Sequence, residues 1–214
     1  MSSLSSNSTA PRHGIELARF IAVLALCFTA SGVAAWQFGP RIVTSILPMT
    51  RALVDGFDDR LKVQSLTVET SKQDSVVVMR SVVVRPIVVG PNALFPTGQG
   101  GFQLSTPVLR ILMPLLIAVS LAGAWPAEPA LRLTQAVVAL VLAFAWLLID
   151  LPLTLHAFTW DTLMKTYQGQ SLSPLQQWLD FMQSGGRLAA GVMIAAIACV
   201  STGVFARWNR ARRS

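Results

Sequence analysis

The chain has 214 residues, 53% of them apolar and 13% charged, with a net charge of +7 and a mean hydropathy of +0.56. Soluble domains carry about 25% charged residues, so this composition excludes an ordinary soluble domain and places the chain in the membrane class. Nucleic-acid binding is not expected either, because the basic residues do not gather on a soluble domain: four of the seventeen, Arg207, Arg210, Arg212 and Arg213, directly follow the last apolar run.

Residues 1–14 are Ser-rich and polar and read as a disordered tail. Residues 15–36 form the first expected span, with Glu16 and Arg19 in its opening turn and Trp36 at the far interface. Val33 and Ala35 fit a signal-peptidase site, but the apolar run is longer than a signal core, so an uncleaved span is expected.

Residues 37–107 are the one long polar section. Ile42, Ile46, Leu53 and Phe57 fall at helical spacing among charged neighbours. They predict an amphipathic helix on the membrane surface, bent at Pro48, with packing against the next element as the alternative. The period then changes to two. Leu61 and Val63 alternate, Ser65 shifts the phase, and Leu66 and Val68 alternate again, which predicts a strand with a bulge at Ser65. After the polar turn SKQDS, the run Val76–Val89 is almost wholly β-branched and completes a β-hairpin. Residues 90–101 read as a loop. A lone hairpin is marginal in water, so its unpaired edge marks Val76, Val78, Val82, Val83 and Val84 as candidate partner-binding residues.

Residues 108–125 form the second span and residues 135–158 the third. About 20 apolar residues at about 1.5 Å each cross a hydrocarbon core of about 30 Å. Residues 159–187 form a second outward loop. Within it Ser173 can cap a helix begun by Pro174, and Leu175, Trp178, Leu179 and Met182 make one apolar face, ended by Gly185 and Gly186. Residues 188–206 form the fourth span, rich in small residues that let helices approach closely. Residues 207–214 are a basic tail.

The expected fold class is therefore a mainly α integral membrane protein: a four-transmembrane-helix bundle with a small extracytoplasmic β-hairpin subdomain and surface amphipathic helices. The Arg cluster sets both termini in the cytoplasm by the positive-inside rule, against anionic lipid. The setting is the inner membrane of a bacterium, multi-pass, with membrane lipids as partners.

With that topology Arg110, Asp150, His156 and Arg187 lie toward the outer ends of their helices. They form a candidate polar cluster, with either arginine available to pair with Asp150. A structural ion pair and a functional site at the outer face are both open readings. Motif search finds no GxSxG, HExxH, P-loop or metal-ligand spacing. Cys27 and Cys199 sit inside apolar runs and read as small packing residues. No cofactor, metal or catalytic residue is expected.

Four stretches carry a resemblance: ELARFIAVLALCF at 16–28, ILPMTRALVD at 46–55, LKVQSLTVET at 61–70 and FMQSGGRLA at 181–189. The layout resembles small multi-pass proteins encoded with exosortases, membrane enzymes that process sorting signals on exported proteins. The resemblance covers about a quarter of the chain. It implies a non-catalytic accessory subunit with an exosortase-type membrane protein as partner. Exosortases use a membrane Cys with Arg and His, and Cys199 in IACVSTG is only loosely like that segment and lies at a different depth. The alternatives are an intramembrane enzyme or a small transporter subunit built on the polar cluster.

Overall fold

A computed structural model of the chain describes residues 12–71, 74–89, 92–96, 101–167 and 174–211. Residues 1–11 of the tail expected at 1–14, the cap at Ser173, and Arg212 and Arg213 lie outside the described residues, while residues 12–14 are helical rather than part of a tail. The first helix, α1, runs without interruption over Arg12–Phe57 and carries Pro40 and Pro48 inside it. At about 1.5 Å per residue it is about 69 Å long, more than twice a hydrocarbon core. The separate surface helix expected after Trp36 is therefore corrected: it is the second half of the same helix. Each proline removes one backbone donor, and that loss is outweighed by packing. Val43, Ile46, Leu47 and Val54 are all buried, in one core with Val63, Val77 and Met79 of the sheet.

Strand β1 (Leu61–Ser71) pairs antiparallel with β2 (Asp74–Val83), and the register slips between Val63 and Ser65. The bulge expected at Ser65 thus falls one residue earlier, leaving Gln64 as the extra residue. Strands β3 (Ile87–Val89) and β4 (Asn92–Leu94) form a separate short hairpin. Strand β5 (Gly101–Pro107) pairs with the other side of β2, from Val76↔Pro107 to Val82↔Gly101, giving the order β1-β2-β5. This corrects the partner-edge reading of Val76, Val78, Val82 and Val83. They belong to the central strand, both of whose ladders are filled from within the chain. Val84 lies just past its end and donates its N–H to the Arg60 carbonyl at 2.9 Å.

The outer side of β1 is held by α1. Asp55 accepts from the Val63 N–H at 2.8 Å, and Arg51 donates to the Val63 carbonyl at 2.9 Å. Two side chains thus occupy the N–H and carbonyl of Val63 at the start of that edge.

Helix α2 (Val108–Ala124) follows Pro107 directly and is central, touching α1, the long helix α3 (Pro129–Thr166) and the last helix α5 (Arg187–Ala211). Pro129 opens α3 at the one turn where its missing N–H costs nothing. The three-way contact among α2, α3 and α5 is built on small residues: Ala118, Ala122, Ala139, Ala143, Ala198 and Cys199. A Cβ on Gly191 would lie 2.8 Å from the Ile117 Cβ, so α5 can close on α2 only with glycine there.

Helix α4 (Pro174–Phe181) is shorter than the sequence implied. It gives way to a π turn, Met182–Gly186, and so into α5. Its expected apolar face is turned inward, with Leu179 and Met182 buried and Leu175 and Trp178 partly so. Three helical stretches, Glu16–Phe57, Pro129–Thr166 and Pro174–Ala206, are long and apolar enough to cross a membrane, and Val108–Ala124 is a shorter apolar helix. The chain is thus a mainly helical membrane protein with a small antiparallel sheet at one end.

Candidate functional site

The structure divides the four expected site residues among three places. Asp150 and Arg187 are together and buried, with side chains 1% and 5% exposed. The Arg187 Nε donates to Asp150 Oδ2 at 3.1 Å, and Thr154 donates to Asp150 Oδ1 at 3.1 Å. The Arg187 Nη2 donates to the Thr154 hydroxyl at 2.9 Å, closing a three-membered ring of contacts. Asp150 and Thr154 are four residues apart and so share one face of α3. The third Arg187 nitrogen, Nη1, is buried and has no partner among the described residues.

Arg187 reaches this position through the turn before it. Gly185 has φ 125°, a conformation side-chain-bearing residues seldom adopt. At Gly186 the constraint is contact, since a Cβ would lie 2.7 Å from the Phe181 ring and 2.8 Å from its carbonyl. The two glycines turn α4 into α5 and set Arg187 at the first position of the new helix.

His156 is elsewhere. Six residues after Asp150, it is turned about 120° around α3 at 100° per residue. Its ring lies 5.6 Å from that of Phe57. Beside it are Asp58, a buried carboxylate at the end of α1, and Arg60. The Arg60 backbone N–H and Nε both donate to Asp58 Oδ1, at 3.0 and 2.9 Å, and the Arg60 guanidinium lies 5.4 Å over the Trp160 ring. Burial pushes the Asp58 carboxyl up. The Arg60 hydrogen bonds and charge outweigh that and hold it below the usual carboxylate range. This second group joins α1, β1 and α3.

Arg110 is on the outward side of the first turn of α2. It lines a cleft of about 270 Å³ with Trp36, Pro40 and Asp74. Of the two arginines considered for Asp150, the partner is Arg187, because the helix face that carries Ile111 and Leu112 into the core turns Arg110 away. Arg207 and Arg210 fall in the final turns of α5.

Thr154 and Asp58 are the members that sequence reading missed. Thr154 was findable, as the polar residue at i+4 from a buried carboxylate. Asp58 was not, because its burial beside His156, 98 positions away on another element, cannot be read from the sequence.

Chemically, Asp150 is paired with Arg187 and satisfied by Thr154, which suits a carboxylate buried inside an apolar helix bundle. Among the described residues no group of three or more His, Cys, Asp or Glu gathers to hold a metal ion. Cys199 packs in the small-residue core, and the Cys27 sulfur faces Gly123. Comparison of the chain with family models, with curated proteins and with solved structures finds no match to any of them.

Proposed function

We propose that this protein is a non-catalytic accessory subunit of a bacterial envelope protein-processing or assembly complex. In this reading all four apolar helices cross the inner membrane, with α2 as the short central span. Both termini are cytoplasmic and the sheet faces outward. The observation that carries the reading is the uneven packing of α1. None of the residues 16–34 is buried, whereas the same helix from Val43 onward is locked to the sheet. A span that packs on α2 along one side but buries no residue fully in its first half, and is rigid in the outward half, suits a helix that docks on a larger membrane protein while fixing an outward domain beside it. The resemblance to exosortase-associated proteins supplies the class of partner.

The test is a mild-detergent pull-down from native membranes through a C-terminal tag. Stoichiometric recovery of a larger integral membrane enzyme or export subunit is expected. Recovery of the chain alone would contradict the reading.

A second reading, a small transporter subunit, draws on the unpartnered Arg187 Nη1 beside Asp150. It requires a proteoliposome flux abolished by Asp150→Asn. The enzyme reading that joined His156 to Asp150 has less support, since the two side chains lie in separate groups.

A further inference from the structure

At the end of the bundle away from the sheet, the N-terminal part of α1, the first turn of α3 and the end of α2 enclose a cleft of about 400 Å³. Glu16, Arg19 and Phe20 line it from α1, Ala124 and Pro126 from the end of α2, and Arg132 from α3. None of its three charged residues has an ion-pair partner among the described residues. The Arg132 Nε is buried and makes no hydrogen bond.

Depth identifies the surroundings. From Arg19 to Trp36, 17 residues along α1 span about 26 Å, close to a hydrocarbon core of about 30 Å. The cleft is therefore level with one headgroup layer when Trp36 is level with the other. A buried guanidinium nitrogen without an acceptor and a second arginine from another helix both call for an anionic oxygen ligand. Charge sets the ligand's class. Two arginines against Glu16 leave +1, which a phosphodiester with no amine neutralises. A zwitterionic headgroup would leave it standing.

We propose that the cleft between Arg19 and Arg132 binds the phosphate of a net-anionic phospholipid headgroup, such as phosphatidylglycerol. The site rests on the four-span reading and is independent of any protein partner. Arg132 is the principal donor, Arg19 the second, and Glu16 sets the preference against ammonium-free dianions and in favour of a single negative charge.

The test is native mass spectrometry of the detergent-purified full chain titrated with phosphatidylglycerol, phosphatidylethanolamine or inorganic phosphate. Phosphatidylglycerol adducts are expected in preference to both others. Loss of one charge-assisted hydrogen bond in Arg132→Gln should weaken binding about tenfold. Glu16→Gln should tighten it by roughly two- to fivefold, as expected for removal of one exposed like charge. This gain keeps the test decisive if an arginine variant folds poorly. Arg207→Gln with Arg210→Gln should weaken binding less than Arg132→Gln does. Equal binding of phosphatidylethanolamine, equal binding of free phosphate, or a larger effect from the tail variant would each overturn the site. A chain that stays soluble without detergent would instead overturn the span reading.

Discussion

Asp150 illustrates how a single charge is accommodated inside a helix long and apolar enough to cross a membrane. Its carboxylate meets Arg187 and Thr154, and the three side chains are buried together. Removing one partner of such a pair strands the other charge, at a cost of about 3–5 kcal/mol, whereas replacing both with apolar residues can be close to neutral. Thermal unfolding in detergent should therefore rank Arg187→Leu and Asp150→Leu each below the double variant. A double variant less stable than either single would contradict this account of the pair. Asp58 gives a second residue-scale prediction. Two hydrogen bonds from Arg60 to its buried carboxylate should make Asp58→Asn cost about 1.5–3 kcal/mol at pH 7. Because the folded carboxyl titrates below its ordinary value, its contribution is complete above about pH 3.9. It is lost as the pH falls through the folded value. The stability gap between wild type and Asp58→Asn should thus be flat near neutrality and shrink in acid. Of these contacts, the sequence showed the buried carboxylate and its possible arginines. The choice of Arg187 over Arg110 depended on which face of α2 turns inward.

At the scale of elements, the α4–α5 turn is the most constrained connection. Gly186→Ala would drive a methyl into the ring and carbonyl of Phe181, and overpacking of this kind costs about 1–3 kcal/mol. Because the same turn aims Arg187, the loss should be smaller in an Asp150→Leu/Arg187→Leu background, as a double-mutant cycle would read. In the sheet, Met79 is fully buried on the central strand, so Met79→Ala should cost about 2–5 kcal/mol. An effect under 1 kcal/mol would argue that the sheet is not packed on α1. The alternation of Leu61, Val63, Leu66 and Val68 made β1 and its bulge legible, and the β-branched run made β2 legible. Strand β5 was carried by a weaker alternation, Phe102, Leu104 and Thr106, directly before an apolar helix. Its omission left β2 with a false free edge. The continuity of α1 was hidden because two prolines look like breaks when the tertiary contacts that override them, Val43 and Ile46 against the sheet, cannot be seen.

For the whole molecule, the long helices divide the chain into two ends. Helices α1 and α3 both continue past the length a bilayer needs. Their distal halves hold the sheet, through Val43, Ile46, Leu47 and Val54 on one side and Leu163 with Leu61, Val83 and Ile87 on the other. The opposite end carries the cleft of Arg19 and Arg132. Composition and run length alone announced a membrane protein. The spacing of its two ends required the structure. The central claim is that the short helix α2 crosses the bilayer, so that the sheet and the α2–α3 turn lie on opposite sides. It is tested most directly by labelling intact cells with a membrane-impermeant maleimide, after replacing Cys27 and Cys199 with alanine. Thr67→Cys on β1 should be labelled from outside, and Glu128→Cys in the turn before α3 only after permeabilisation. Labelling of both positions from the same side would show that α2 does not cross and would contradict the account.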